Sequence, residues 1–295
     1  IRIRRRGHRI GSDRSIKILS DSHRLRMCIL ITERIIKSHG KLFGRPRRRQ
    51  NNIPGDDIRR IDWGAYGRLD KLYIKQFMEE KEGIFQIFLD TSKSMEFGEP
   101  KKSVTALRLA GALAYLVLNN LDRVYVSQMQ ESNLTQGKGR AGKQAFQTIA
   151  QELDRIVFDG GTNLNQAIRK RQYQGSGVSI VISDFLDAQG IEDAMKYLVY
   201  KKQQVVLIQV LARQEVEIEG EGAVNLLDME TKDEVRLTLN RNTIRQYEQA
   251  LASLRDTLSH LARKYRMTYI SMISDEPLEK FLFDSICNQG IIVRK

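Results

Sequence analysis

Ile84-Phe85-Gln86-Ile87-Phe88-Leu89-Asp90-Thr91-Ser92-Lys93-Ser94 is the stretch from which the fold is read. Six mostly apolar residues run into an aspartate and two spaced serines. Such a run is too short for a helix and reads as a parallel strand buried on both faces. Val178-Ser179-Ile180-Val181-Ile182-Ser183-Asp184 repeats the pattern, again ending on a carboxylate.

Outward from these runs, strand and helix alternate. Thr105 to Asn120 is rich in Ala and Leu and predicts a helix. Arg123 to Met129 predicts a strand, Gly142 to Ile156 and Asn163 to Tyr173 helices, Ile191 to Lys201 a helix, and Gln204 to Leu211 a strand. The expectation is an α/β fold with a doubly wound, mostly parallel sheet flanked by helices. Beyond it, Val224 to Leu227 and Glu234 to Leu239 predict a hairpin around Lys232-Asp233. Arg241 to Tyr265 predicts a long helix, whose Ile244, Tyr247, Leu251, Leu254, Leu258 and Leu261 argue for packing. Met267 to Ile273 reads as a strand and Pro277 to Asn288 as a closing helix. Upstream of Gly83 the pattern predicts an irregular basic start over residues 1–20, a helix from Ser22 to Gly40, and a short strand around Leu72, Ile74 and Phe77.

In open α/β sheets, ligands bind beyond the carboxyl ends of the strands, at the switch point in strand order. Asp90 and Asp184 are expected there, with Ser92 and Ser94 just past Asp90. Gly160-Gly161-Thr162-Asn163 adds a glycine turn presenting Thr162 at a helix start. Two carboxylates and three hydroxyls are hard oxygen donors, which suit Mg²⁺ or Mn²⁺. They suit Zn²⁺ poorly, with no His or Cys nearby in sequence.

Asp90-x-Ser92-x-Ser94, a threonine 72 residues after Asp90 and an aspartate 94 residues after it resemble the metal-ion-dependent adhesion site of von Willebrand factor A (vWA) domains. The resemblance implies that Ser92, Ser94 and Thr162 approach the ion directly, and that Asp90 and Asp184 act directly or through water. It leaves one coordination position for a carboxylate from a partner.

A second resemblance lies upstream. Pro54-Gly55-Asp56-Asp57-Ile58-Arg59-Arg60-Ile61-Asp62-Trp63, followed by Arg68, Leu69 and Lys71-Leu72-Tyr73, resembles the signature of DUF family 58, a bacterial and archaeal group. Asp90 to Met95 and Ser183-Asp184-Phe185 fit the same family. It implies partnership with a MoxR-type AAA+ ATPase, and with the adhesion-site resemblance it gives the expectation of a non-enzymatic, metal-dependent protein-interaction role. Read physically, Gly55 allows a positive-φ turn, Asp56 or Asp57 can cap the next turn, and Arg59 or Arg68 can pair with a carboxylate. With Asp62 and Trp63, these residues form either a clasp on the core or a partner-docking surface. The expected organisation is a basic leader with one helix (1–50), the signature segment packing on the core (51–82), the vWA-like domain (83–215), and a hairpin with helices on the same core (216–295).

Composition bounds the rest. The chain has 295 residues, 41% hydrophobic and 29% charged, an ordinary globular balance. Its net charge of +13 sits wholly in residues 1–50, which hold 16 Lys and Arg against 3 Asp and Glu. This leader gives the rival reading, a nucleic-acid or anionic-surface binder. Two cysteines, Cys28 and Cys287, exclude a disulfide scaffold and fit a reducing, cytoplasmic setting. No stretch of 18 apolar residues predicts a membrane span. The chain opens on Ile1, so it is also read as a fragment or processed piece of a longer protein.

Enzyme classes fare poorly. Glu99-Pro100-Lys101-Lys102-Ser103 lacks the glycine that a P-loop needs before its lysine. A Ser-His-Asp hydrolase would have to recruit His260 from the tail helix. Metal-dependent phosphoester hydrolysis at Asp90 and Asp184 has no visible general base or second metal cluster. The leader reading carries its own test. Binding to a polyanion should fall steeply with salt, vanish on deleting residues 1–20, and be indifferent to Asp90→Ala in an electrophoretic-shift titration.

Overall fold

The computed structural model describes residues 2–4, 41–42, 82–173, 175–187, 190–218, 222–227, 234–282 and 292–293. By its contacts the chain divides into two compact units, residues 1–43 with 83–295, and residues 44–82. The expected helix from Ser22 to Gly40, the strand around Leu72 to Phe77 and the signature residues Gly55 to Trp63 lie outside the described residues.

Six strands form the main sheet of the first unit: β1 (Ile84–Asp90), β2 (Arg123–Gln130), β3 (Asn133–Thr135), β4 (Gly177–Ser183), β5 (Gln203–Leu211) and β6 (Thr268–Ile273). Their order across the sheet is β6-β5-β4-β1-β2-β3. All neighbours are parallel except β2 and β3. This is a doubly wound order, reversing direction between β1 and β4. In that pair Leu89 lies opposite Ile182, so Asp90 and Asp184 leave the sheet side by side at its carboxyl edge.

Both faces of the sheet are covered, as continuous apolar strands require. One face takes α1 (Lys102–Asn119), α2 (Phe146–Asp154) and α7 (Leu278–Phe281). There Leu109, Leu113 and Phe281 pack with Ile87, Leu89, Ile182 and Ile208. The other face takes α3 (Leu164–Arg169), α4 (Ile191–Tyr200) and α6 (Arg241–Lys264). Leu198, Leu258 and Leu261 pack there with Phe88, Val181 and Leu207. Successive residues of β1 and β5 alternate between the two layers, the period-two pattern of a strand.

Some expectations shift. α1 starts three residues before the predicted Thr105, because the polar-looking Lys102 is fully buried and neutralised by two carboxylates. α2 is preceded by a separate 3₁₀ turn, Lys143–Ala145, so the helix expected from Gly142 begins only at Phe146. α3 ends at Arg169, well short of Tyr173, and just beyond it the buried Arg171 side chain bonds the Gln86 amide oxygen at 2.7 Å. The short β3 and α5 (Arg213–Val216) are too brief to carry a periodic signal. The hairpin forms as expected from Gly222–Leu227 and Glu234–Leu239. Residues 1–20, expected to be irregular, instead contribute Arg2–Arg4 as a third, antiparallel strand of that hairpin sheet. Lys41–Leu42 pairs with Ile292–Val293. The predicted closing helix is described only as α7 and Leu282; its remainder to Asn288 lies outside the described residues.

The α6 helix is tied to α4 by Glu192. Its carboxylate accepts from the Tyr265 hydroxyl at 2.8 Å and pairs with Lys264 at 3.0 Å and Lys196 at 3.3 Å. The Tyr265 hydrogen bond, then those of Lys264 and Lys196, hold Glu192 down at about 2. This tie is intact at neutral pH and is lost as pH falls through that value. Tyr265→Phe should move the Glu192 titration up toward the ordinary carboxylate range, read by NMR. In the core, Leu113→Ala and Leu198→Ala should each cost about 2–5 kcal/mol. Lying on opposite faces of the sheet, their losses should add within about 0.5 kcal/mol in urea unfolding.

Candidate metal site

Three loops meet where β1 and β4 diverge. The first follows β1, where Asp90 is only 3% exposed and Ser92 1%. The Asp90 Oδ1 atom accepts from the Ser92 amide at 2.9 Å, which curls the chain so that Ser92 and Ser94 point the same way. Their hydroxyl oxygens stand 2.9 Å apart. The second loop is the glycine turn. Gly160 has φ +69°, a conformation that glycine adopts without penalty. The turn delivers the Thr162 hydroxyl to Asp90 Oδ1 at 2.6 Å, while Asn163 caps α3 through the Gln166 amide. The third loop follows β4. Ser183 donates its hydroxyl to Asp90 Oδ2 at 2.6 Å. Phe185 sits at φ +54°, uncommon for a bulky residue. That turn folds the Phe185 amide back onto Ser183 Oγ and the Leu186 amide onto Asp184 Oδ1.

Main-chain bonds strap the loops together. The Lys93 amide donates to Gly160 O at 2.8 Å and the Asp159 amide to Thr91 O at 3.0 Å. The Thr91 amide and hydroxyl both reach Met129 O. Gln209, buried in β5, donates to the Asp184 carbonyl at 2.9 Å and accepts from the Tyr269 hydroxyl of β6 at 2.6 Å.

The five expected residues, Asp90, Ser92, Ser94, Thr162 and Asp184, line one small cleft of about 40 Å³, together with Leu164, Ser183 and Phe185 to Asp187. That is room for a small ion and ordered water. Burial, and then the Asp184 charge, push the Asp90 carboxyl above its ordinary value, against the hydrogen bonds from Ser183, Thr162 and Ser92. Lys102 offsets part of the charge at Asp184, and a cation between the two carboxylates would relieve the rest of their repulsion. The donor chemistry fits a hard divalent one. The two serine hydroxyls are hydrogen bonded to one another, a bond that an ion taking both oxygens as ligands would compete with. The cleft lining contains no His or Cys. Among the described residues no group of three or more His, Cys, Asp or Glu side chains is placed to hold a metal ion, so an ion in this cleft would rest on two carboxylates and hydroxyls.

Sequence reasoning missed three contributors. Ser183 stood beside Asp184 in the same run, but its hydroxyl signalled nothing in an apolar strand. Lys102 was considered only as a failed P-loop lysine. Its side chain is wholly buried, with Nζ 2.7 Å from Asp184 Oδ2 and 2.6 Å from Glu215 Oε1. Glu215, in α5, also accepts the Ala212 amide at 2.8 Å. Burial works against the Lys102 charge, but Asp184 and Glu215 outweigh it and hold the ammonium above its ordinary pKa.

Among known proteins, the chain is 27% identical over 187 residues to the uncharacterized proteins Mb1516 of Mycobacterium bovis and Rv1480 of Mycobacterium tuberculosis. The match covers 60% of this chain and 58% of theirs, so the chain spans about three fifths of the curated relatives. Solved structures similar to it include a conserved hypothetical protein, BatB, from Bacteroides thetaiotaomicron (18% identity, TM-score 0.46, covering 71% of this chain and 98% of that one). The SpRpn10 VWA domain is another (10% identity, TM-score 0.38, covering 69% and 94%). Residues 48–257 match the family described as "Protein of unknown function DUF58". That span takes in β1 to β5, the whole cleft and most of α6, well over half of the sequence, and the chain is therefore a member of the DUF58 family.

Proposed function

We propose that this chain is a non-enzymatic, metal-dependent protein-interaction module that presents Mg²⁺ or Mn²⁺ to an acidic side chain of a partner, a MoxR-type AAA+ ATPase. The observation that carries the reading is the gathering of Asp90, Asp184 and the hydroxyls of Ser92, Ser94 and Thr162 in one cleft. Ser92, Ser94 and Thr162 are the direct ligands in this reading. Asp90 and Asp184 supply the negative charge and orient the hydroxyls and bound water. The ion supplies a concentrated positive charge that draws in a carboxylate from outside.

The residues around it set what can approach. Leu186 is 38% exposed at the rim, so the mouth offers apolar contact beside the ion. The loop straps hold the hydroxyls in place before the ion arrives, which lowers the ordering cost of binding. A hydrolytic reading gains no support: His260 is exposed on α6 and is not among the residues that line the cleft. Among the described residues no helix is long and apolar enough to cross a membrane. The signature residues Gly55, Asp56, Asp57, Arg59, Asp62 and Trp63 stay open between a structural clasp and a second contact with the partner.

Ion binding is tested by thermal unfolding with Mg²⁺, Mn²⁺ or EDTA. At an ion concentration tenfold above its dissociation constant, stabilisation should be about 1.4 kcal/mol. For a domain of this size the melting temperature should rise roughly 2–4 °C. The rise should disappear in Ser92→Ala/Ser94→Ala; an equal rise in both proteins places the ion elsewhere. Association with the ATPase, measured by biolayer interferometry, should require the divalent ion and fail for Asp90→Ala. Retention in EDTA would sink the metal-dependent reading.

A further inference from the structure

The ammonium of Lys102 is wholly buried and lies against a carboxylate of the ion cleft. Stability alone does not explain it. A buried ion pair is often no better for stability than well-packed apolar residues, because desolvation consumes the attraction. Lys102 is also held from behind, since its ammonium donates a second hydrogen bond to Glu215 at 2.6 Å, and Glu215 is itself fixed by the Ala212 amide. The arrangement is graded. Asp184 faces the cleft, Lys102 offsets part of its charge, and Glu215 offsets part of that of Lys102.

We infer that Lys102 is the affinity- and specificity-determining residue of the ion site, a built-in counter-cation that shares Asp184 with the bound ion and disfavours ions of higher charge. Glu215 sets how much of that charge the ion feels. The inference rests on the ion site proposed above and adds the class of ion it accepts. A fixed positive charge repels a cation in proportion to the cation's own charge. Lys102 therefore weakens trivalent ions more than divalent ones, and leaves a divalent ion held loosely enough for exchange.

The design gives opposite signs for two substitutions. Asp90, Asp184 and Glu215 with Lys102 together carry two net negative charges. Lys102→Met/Glu215→Gln keeps that total but removes the positive charge beside Asp184. Glu215→Gln alone leaves the whole Lys102 charge on Asp184. A merely structural Lys102 would weaken ion binding in both variants, through a loosened cleft.

The test is Mn²⁺ binding by electron paramagnetic resonance and Tb³⁺ binding by luminescence, on the full chain. Folding of each variant is checked by circular dichroism in EDTA. Lys102→Met/Glu215→Gln should bind Mn²⁺ at least tenfold more tightly than wild type, and Tb³⁺ should gain more than Mn²⁺. Glu215→Gln should bind Mn²⁺ several-fold more weakly, with Tb³⁺ losing more. If the double variant does not fold, Glu215→Gln still decides: equal losses for the two ions mean a disordered cleft and overturn the assignment. Wild type that binds Mn²⁺, with a double variant no tighter, removes the role of Lys102 and leaves the ion site standing. No binding by either protein removes the ion site and this role together. Binding by the double variant alone supports the role, since Lys102 then excludes the ion outright.

Discussion

Asp90 and Asp184 leave neighbouring parallel strands at the same edge, each almost without access to water. Two like charges held this way repel and lose their hydration, so everything nearby is arranged to make them tolerable. Asp90 is met by hydroxyls from Thr162 and Ser183 and by the Ser92 amide. Asp184 is met by Lys102 and the Leu186 amide. The doubly wound order creates the gap between β1 and β4. The glycine turn and the left-handed Phe185 bring the remaining donors to it. The sheet is thus the support of an electrostatic problem whose solution is oxygen-rich, and that composition in turn suits a hard divalent ion.

The fold was largely legible in the sequence because it rests on long, regular signals. β1, β4 and β5 are buried on both faces and read as apolar runs, and α1, α4 and α6 are long enough to show a helical period. Signals failed where an element is short, as in β3 and α5, or where tertiary contact overrides local preference, as at the start of α1. The grouping of Asp90, Ser92, Ser94, Thr162 and Asp184 was legible from spacing, since each follows a strand or turn whose end the pattern marks. Lys102 and Glu215 were not. They are 113 residues apart in sequence, and a lysine at a helix start looks like a solvated residue until the acid that buries it is located. Ser183 was hidden for a related reason, since a hydroxyl in an apolar strand gains meaning only from what it faces.

Membership of the DUF58 family gives the chain a lineage but no chemistry, so its function has to be sought in the cleft. There the two scales of the structure meet. The six-stranded sheet sets positions to within the length of a side chain. The hydrogen bonds around Asp90 then fix how the Thr162 and Ser183 hydroxyls are aimed. The lysine behind Asp184 adds a third quantity, a buried positive charge.

The straps between the loops are main-chain bonds: Lys93 to Gly160, Asp159 to Thr91, and Thr91 to Met129. Every residue except proline carries the same amide and carbonyl. The Lys93–Asp159 ion pair at 3.7 Å can therefore be exchanged for other side chains while the main-chain frame beneath it stays closed. The rim, where Leu186 and Asp187 face outward, can be rewritten for a new partner without disturbing the ligands beneath. In evolutionary terms the cleft separates what must be conserved from what is free to diversify, and it does so through atoms that mutation does not change.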